Sequence, residues 1–173
     1  VSESTRRDTI QHLGVPQDKI TVVHEAANPI FRPIDRKEAA EEVRVRYGVD
    51  APFVLFVSTI EPRKNVPTLM RAIWQLQECY KEDVHLILAG GKGWLFEDAF
   101  ASVEEFKLDS RVHFVGRVSS EELLYLYNAA ELLAHPAFYE GFGLPPLEAM
   151  ACGLPVVVSN VASLPEVVGD AGL

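Results

Sequence analysis

Cysteines and long apolar runs are scarce in this sequence. Two of its 173 residues are cysteines, Cys79 and Cys152, and a single pair cannot brace a domain of this length with disulfides. Such scarcity is typical of proteins from a reducing compartment. The clearest apolar run, Phe53–Val57, has only the length of a strand, whereas a membrane-spanning helix needs about 18 apolar residues. We therefore expect a cytoplasmic protein that folds around a core of its own.

Basic residues are also in deficit. The sequence contains 16 Lys and Arg against 25 Asp and Glu, which gives a formal net charge of −9. Binding to nucleic acid needs a broad basic surface, so this balance excludes nucleic acid as the expected partner. Apolar residues make up 48% of the chain and charged residues 24%, which excludes wholesale disorder. An anionic ligand would have to be bound by a local group of cations.

The chain length predicts one domain with an attached piece, because domains commonly contain about 150 residues. The sequence begins without an initiator methionine and within a helical pattern, and it ends at Leu173 without a stop signal. We therefore expect it to be a fragment of a longer protein.

From Phe53 onward, short apolar runs alternate with amphipathic stretches. Most of these runs are apolar almost throughout, which is typical of strands that are covered on both faces. The predicted strands are Phe53–Ser58, Val84–Gly90, Arg111–Gly116, Glu131–His135 and Pro155–Ser159. Strands that alternate with helices over short connections predict an α/β fold with a doubly wound parallel sheet.

Capping residues and the 3.6-residue period predict the helices. The predicted helices are Ser4–Leu13 closed by Gly14, one from Asp35 and Glu38 to Tyr47, Val66–Tyr80 after Asn65, Phe96–Lys107, one begun by a capping box of Ser119 and Glu122, and one from Pro145 to Gly153. The first fifty residues also contain a predicted strand, Lys19–His24, and a breaker-rich segment, Asn28–Pro33, which we interpret as a linker.

Glycines and cations are concentrated after the predicted strands. In an open parallel sheet, ligands bind beyond the carboxyl ends of the strands. The residues found there are Arg63 and Lys64 after the first strand, Gly90, Gly91 and Lys92 after the second, Gly116 and Arg117 after the third, and Glu140 to Leu144 after the fourth. Glycine lets a ligand approach the backbone, and cations and helix amino termini bind phosphate. We therefore expect a phosphate-bearing ligand, although a solvated turn remains an alternative for Arg63 and Lys64.

Common nucleotide, hydrolase and metal motifs are absent from the sequence. Gly91 and Lys92 are followed by Gly93 instead of Ser or Thr, which excludes a P-loop. No G-x-G-x-x-G fingerprint follows the first strand, and no G-x-S-x-G nucleophile elbow occurs. The five histidines lack the close spacing of metal ligands, so we predict no metal site and assign them structural roles.

Two carboxylates stand out because they are separated by only seven residues. Glu140 lies in the loop after the fourth strand, and Glu148 lies in the predicted first turn of the next helix, with the amides of Phe142 to Leu144 between them. Carboxylates suit ribose or sugar hydroxyls, and backbone amides suit an anionic oxygen. A structural interpretation stays open, since the helix dipole alone favours Glu in a first turn.

The segment Glu140–Ser159 resembles, almost position for position, the donor-site signature of retaining GT-B glycosyltransferases. The family in question, of the group 1 or family four type, includes GDP-mannose-dependent mannosyltransferases and sucrose synthases. The match continues in Glu61–Asn65 and Ser163–Gly172, and Val1–Ser4 and Asn28–Pro33 resemble the passage out of the family's N-terminal domain. One departure is that Ser58 and Thr59 stand where many members carry Gly-Arg, so an expected phosphate-binding Arg is missing.

This resemblance implies how the chain is divided and what it binds. Residues 1–35 would be the tail of an N-terminal domain and a linker, and residues 36–173 a Rossmann-like nucleotide-sugar-binding domain, cut short at its C-terminal end. That domain would be the C-terminal half of a GT-B architecture, and the N-terminal domain would be missing from this chain. The missing domain would bind a glycan or lipid-linked acceptor and could associate with the cytoplasmic face of the membrane.

The resemblance also implies retaining transfer of a hexosyl group, in particular mannosyl, from a donor of the GDP-mannose or UDP-glucose type. No metal and no cofactor are implied. Arg63 and Lys64 would neutralise the diphosphate, Glu140 would contact the sugar hydroxyls, and Glu148 would hold the ribose. The other implied donor contacts are Gly90, Gly91, Gly116, Arg117, Val118, Gly141, Phe142, Gly143 and Leu144.

Two other function classes stay open at this point. A nucleotide-sugar-binding module without catalysis would carry the same residues, because a fold does not determine a function. A dehydrogenase would share the sheet, but the missing dinucleotide fingerprint disfavours it.

Overall fold

The computed structural model describes residues 1–94 and 97–173. Its centre is one sheet of five strands, and every neighbouring pair of strands is parallel. The strands are β1 (Phe53–Val57), β2 (His85–Ala89), β3 (Val112–Gly116), β4 (Leu132–His135) and β5 (Val156–Val158). Their order across the sheet is β3-β2-β1-β4-β5. The predicted doubly wound parallel sheet is confirmed.

Helices cover both faces of this sheet. They are α1 (Glu3–Leu13), α2 (Arg36–Tyr47), α3 (Val66–Tyr80), α4 (Glu97–Phe106), α5 (Ser120–Ala129), α6 (Leu144–Ala151) and α7 (Leu164–Val168). Strand β1 shows how both faces are filled. Phe53 and Leu55 pack into the cluster that contains residues of α2, α5 and α6, whereas Val54 and Phe56 pack into the cluster that contains residues of α3 and α4. Alternate residues thus face opposite layers, which explains the nearly continuous apolar sequence.

Local capping sets several helix boundaries as predicted. The Asp35 carboxylate accepts hydrogen bonds from the amides of Lys37 and Glu38 at the start of α2. Ser119 and Glu122 form a reciprocal capping box at the start of α5. Gly14 and Gly48 close α1 and α2 in the left-handed conformation. Among the described residues, no helix is long and apolar enough to cross a membrane.

The predicted strand Lys19–His24 is wrong. A short 3-10 turn covers Gln17–Lys19, and residues 20 to 24 form irregular chain that pairs with none of the strands described. Local alternation of apolar residues does not make a strand when no neighbouring strand offers ladder hydrogen bonds. Helix α4 agrees with the predicted helix from Glu97 onward, while the predicted first residue, Phe96, lies outside the described residues.

Two glycines at the strand ends differ in what they do. A Cβ atom on Gly90 would lie 1.9 Å from the carbonyl oxygen of Ser58, so this glycine lets the ends of β1 and β2 approach each other. We expected the missing side chain to make room for a ligand, but the backbone of Ser58 occupies that space. Gly116 has φ +75°, and a Cβ atom added there would meet nothing within 4 Å. This glycine serves the left-handed turn after β3.

Replacement of Gly90 by Ala should therefore destabilise the fold far more than replacement of Gly116. We expect Gly90→Ala to lower the free energy of unfolding by about 3 kcal/mol or more, from overpacking and backbone strain together. Gly116→Ala should cost about 1–2 kcal/mol, the penalty of the left-handed conformation alone. Urea denaturation of both variants measures the difference, and equal losses would contradict this interpretation.

Candidate functional site

The loops that follow β1 and β4 are bound to each other. After β1, Pro62–Lys64 forms a 3-10 turn that leads into α3. The amide of Phe138 donates to the carbonyl of Arg63 at 2.8 Å, and the side-chain amide of Asn65 donates to the carbonyl of Pro136 at 3.1 Å. Asn65 occupies the N-cap position of α3 without a side-chain cap bond. Its Oδ1, the atom that would accept such a bond, accepts one of 2.7 Å from the hydroxyl of Thr68.

This junction lies where the sheet reverses its winding order. The chain moves outward from β1 through β2 to β3 and then returns to β4, which is paired with β1 on the other side. In open α/β sheets, the crevice at such a reversal is the usual ligand site. The fold therefore points to the carboxyl ends of β1 and β4.

A buried ion pair occupies this position. Lys64 is 5% exposed and Glu140 is 9% exposed, and the Lys64 ammonium contacts Oε1 of Glu140. Arg63 Nη1 lies 3.3 Å from Oε2 of the same carboxylate. The alternative of a solvated turn is wrong for Lys64, because a solvated lysine would not be enclosed in this way. Arg63 is more open, with 42% of its side chain exposed.

His135, the last residue of β4, completes the group around Glu140. Its Nε2 lies 2.6 Å from Oε1 of Glu140, and its side chain is fully buried. From the sequence we assigned all five histidines structural roles and missed this contact. The available signal was its position at a strand end, five residues before Glu140.

These donors hold Glu140 as an anion. Burial alone would raise the pKa of the Glu140 carboxyl, but hydrogen bonds from His135 and Lys64, together with their charges, lower this pKa to about 2. A carboxylate whose ionised form accepts several donors is stabilised against protonation. Glu140 can therefore act as a fixed negative charge or a hydrogen-bond acceptor, and not as a proton donor near neutral pH.

The glycine-containing loop after Glu140 is fixed through its carbonyl groups. Ser163 Oγ lies 2.9 Å from the carbonyl oxygen of Glu140 and 2.6 Å from that of Phe142. The hydroxyls of Ser2 and Thr5, both at the start of α1, lie 2.6 and 2.9 Å from the carbonyl oxygen of Gly141. We did not predict these four contacts, because each joins residues far apart in the sequence.

The predicted site residues in this loop lead into α6. Gly143 has φ +118° at the N-cap of α6, and Leu144 is the first residue of that helix. Glu148 is thus the fifth residue of α6. Our prediction that it lies in the first turn of this helix is wrong. A preference for the helix dipole does not account for a glutamate in that position, since the effect fades beyond the first turn.

Glu148 lies in a different environment from Glu140. Its carboxylate accepts a hydrogen bond of 2.9 Å from the hydroxyl of Tyr127, a fully buried residue of α5. Burial raises the pKa of Glu148, and the bond from Tyr127 only partly opposes that rise. A half-buried carboxylate of this kind retains acceptor capacity for ligand hydroxyls.

The glycines and the arginine after β2 and β3 form a second cluster on the other side of β1. The amide of Gly90 donates to the carbonyl of Gly116 at 2.7 Å. A Cβ atom on Gly91 would lie 3.0 Å from Nε of Arg117, so the exposed Arg117 side chain lies against this glycine. Val118 packs against the core. These predicted donor contacts therefore adjoin each other.

The described residues contain no group of three or more His, Cys, Asp or Glu that could hold a metal ion. Both cysteines are free thiols, with Cys79 exposed and Cys152 buried.

The lowered pKa of Glu140 predicts a specific loss of stability in acid. The carboxyl group has a folded-state pKa of about 2 and an ordinary value of 4.5. The contribution of Glu140 to the free energy of unfolding is complete above its ordinary pKa and is lost as the pH falls from there toward its pKa in the folded state. Urea denaturation between pH 5 and pH 3 should therefore show a steeper loss in the wild type than in Glu140→Gln.

The exposed Glu121 on α5 provides the control for that measurement. Glu121→Gln should lose stability in acid as steeply as the wild type does. Glu140→Gln should be less stable than the wild type at neutral pH, because it leaves Lys64 without its anion. Identical slopes for the wild type and Glu140→Gln would contradict the assigned ion pair.

Comparison with known proteins shows the family to which the chain belongs. The family described as "Glycosyl transferases group 1" matches residues 39–172. The chain is 40% identical over 173 residues to an O-antigen chain mannosyltransferase B of Escherichia coli, covering 100% of this chain and 45% of that protein. It is 33% identical over 172 residues to the serotype-specific mannosyltransferase WbdA of Escherichia coli, covering 98% of this chain and 21% of WbdA.

A solved structure provides the same result at the level of the fold. The crystal structure of Anabaena Alr3699/HepE in complex with UDP and glucose superposes with a TM-score of 0.82 at 25% identity, covering 95% of this chain and 44% of that one. The chain spans less than half the length of each of these relatives. Its sheet is the Rossmann-like sheet of GT-B glycosyltransferases, and the chain belongs to the glycosyl transferases of group 1.

Proposed function

We propose that this chain is the nucleotide-sugar-binding domain of a mannosyltransferase. It would transfer a mannosyl group from GDP-mannose to a glycan or lipid-linked acceptor, with retention at the anomeric carbon and without a metal. The buried contact between Lys64 and Glu140 at the reversal of the sheet is the observation that carries this proposal. The mannosyltransferases named above support the choice of sugar.

Lys64 and Arg63 would bind the diphosphate. An ammonium has three N–H donors, and the contact with Glu140 uses only part of that capacity. Breaking a glycosyl phosphate bond develops negative charge on the leaving diphosphate, and fixed cations beside it lower the barrier. Held in place by Glu140, Lys64 would supply this charge with little reorganisation. Arg63, the more exposed of the two, would complete the clamp.

Glu140 would act on the sugar by charge. As the bond breaks, the anomeric centre gains positive charge, which a nearby carboxylate stabilises. A carboxylate bound by Lys64, Arg63 and His135 is a weak nucleophile, because three of its roughly four lone-pair sites are already engaged. We therefore propose that Glu140 orients and stabilises the sugar and forms no covalent bond with it, unlike the second carboxylate of retaining glycosidases.

The remaining contacts would hold the nucleotide. Glu148 would accept hydrogen bonds from the ribose hydroxyls, and the amides around Gly143 would bind a diphosphate oxygen. The adjoining residues Gly91, Gly116 and Arg117 would contact the base side of the nucleotide. The acceptor would be bound by a part of the protein outside this chain, at the cytoplasmic face of the membrane if it is lipid-linked.

A module that binds nucleotide sugars without transferring them is the second candidate. The presence of UDP and glucose in the HepE structure is consistent with binding as such. An assay of the intact protein with GDP-[14C]mannose and a glycan or lipid-linked acceptor separates the two functions. Transfer of label supports the mannosyltransferase, and binding without transfer to any acceptor supports the module.

Binding of the nucleotide diphosphate should depend on Lys64. In the intact protein, Lys64→Met should weaken GDP binding by about 1.5–3 kcal/mol, the value of a charge-assisted hydrogen bond. Guanosine binding should change little, because the nucleoside lacks the diphosphate. Isothermal titration calorimetry measures the binding of both ligands. Titration in the presence of EDTA also tests whether binding needs a metal.

Lys37→Met, which removes an exposed lysine from α2, is the matched control for this titration. It should leave GDP and guanosine binding unchanged. Equal losses of GDP and guanosine binding in Lys64→Met would show that the phosphate assignment is wrong, and GDP binding that disappears in EDTA would overturn metal independence. Tighter binding of UDP than of GDP would instead redirect the donor toward uridine nucleotides.

The two glutamates should affect different kinetic parameters. Interactions present in ground state and transition state alike appear in KM, whereas those made only in the transition state appear in kcat. We expect Glu140→Gln to lower kcat by roughly 100-fold with nearly unchanged donor KM. Glu148→Gln should mainly raise donor KM and weaken binding of free GDP. Steady-state kinetics of the intact enzyme would refute these roles if the two patterns were exchanged.

A further inference from the structure

His135 is buried in a way that packing alone does not explain. The side chain is fully enclosed, and its ring stacks on Phe56 of β1 with centroids 6.1 Å apart and an interplanar angle of 16°. Its Nε2 contacts Glu140, but Nδ1 has no hydrogen-bond partner among the described residues. A buried polar atom without a partner carries a desolvation cost. A leucine or methionine would fill the same space without that cost.

The protonation of the ring follows from its partner. Nε2 lies 2.6 Å from an oxygen of Glu140, and a carboxylate oxygen in the ionised state can only accept. Nε2 therefore carries the hydrogen and donates it to Glu140. The stack on Phe56 and the β4 backbone fix the direction of this bond.

The three donors around Glu140 differ in what else they can bind. Lys64 and Arg63 come from the turn after β1 and are the cations proposed for the diphosphate. His135 comes from β4 and is 0% exposed, so a bound diphosphate cannot reach it. When a bound nucleotide sugar draws Lys64 and Arg63 toward its phosphates, His135 is the hydrogen-bond donor that stays with the Glu140 carboxylate.

We propose that His135 is a positioning residue that holds the Glu140 carboxylate in its reactive place through the Nε2–H bond while Lys64 and Arg63 engage the diphosphate. This inference rests on the proposed function, since it takes the two cations as the diphosphate ligands. It adds that the position of the Glu140 carboxylate in the complex with the nucleotide sugar depends on a residue that does not contact the nucleotide sugar.

The test compares two substitutions of nearly equal length in the intact enzyme. His135→Gln can place its side-chain amide near the position of Nε2 and keep a donor, whereas His135→Met fills the pocket without one. We expect His135→Met to lower kcat by about 30-fold or more, within the range of a lost catalytic polar contact. His135→Gln should stay within about fivefold of the wild type. Donor KM and the Kd of GDP should change less than about threefold in both, because neither variant touches the nucleotide.

A second readout does not depend on turnover. With GDP present, 13C NMR of the Glu140 carboxyl should show a pKa raised by about one unit or more in His135→Met and nearly unchanged in His135→Gln. Lys64 and Arg63 face the same carboxylate from the turn after β1, and both are retained in the two variants. A purely structural role predicts lower thermal stability in both variants, with no difference in kcat or in this pKa.

The outcomes separate this inference from the function it builds on. If the wild type transfers sugar and His135→Met keeps its kcat, or if His135→Gln and His135→Met lose kcat equally, the positioning role is wrong while the transferase stands. If the wild type transfers nothing from any nucleotide sugar, the proposed function fails, and the NMR comparison alone decides whether His135 holds Glu140. Should His135→Met not fold, a loss of more than about tenfold in kcat for folded His135→Gln overturns the proposal.

Discussion

The contact between Lys64 and Glu140 is the constraint around which the site is built. A buried lysine or a buried glutamate alone would be costly, because each loses its hydration. Together, with His135 and Arg63 adding hydrogen-bond donors, they compensate each other's charge and lost hydration. This arrangement fixes a positive and a negative charge side by side at one edge of the sheet. A reaction that separates an anionic leaving group from a cationic sugar centre needs both signs of charge in that relation.

The fold produces this contact by bringing together two loops that are distant in sequence. Strands β1 and β4 are adjacent although β2 and β3 intervene along the chain, so their following loops share one crevice. Backbone bonds between Phe138 and Arg63, and the amide of Asn65, hold those loops in register. The hydroxyls of Ser2, Thr5 and Ser163 then fix the loop after Glu140 through its carbonyls. Helix α1, which we assigned by resemblance to a tail and linker, thus contacts the site directly.

Features that depend on local sequence were predictable, and features that depend on distant partners were not. Buried parallel strands are apolar almost throughout, so residues such as Leu55 and Leu133 marked the sheet. The edge where Lys64 and Glu140 meet followed from topology, but the burial of Lys64 did not, since a lysine beside proline and arginine is typical of a solvated turn. His135 ends an apolar run, and only the tertiary course of the next loop makes Glu140 its partner. The failed strand at Lys19–His24 has the same cause, because ladder partners are not visible locally.

A site that is already neutralised before its ligand arrives has consequences for how it binds. In this structure, Lys64 and Arg63 are engaged with carboxylates, Arg63 also with Glu61. A diphosphate bound there, as proposed, would have to share or displace these contacts, so part of its Coulombic attraction would be offset by the loss of existing ion pairs. The compensation is preorganisation, because the side chains of both cations are already ordered, which reduces the conformational entropy lost on binding. In the proposed mechanism, Glu140 would then lose part of its cationic surroundings while positive charge develops on the sugar. An anion released from cations in a buried site attracts a developing positive charge more strongly than one that stays paired, provided that the bond from Nε2 of His135 keeps it in place.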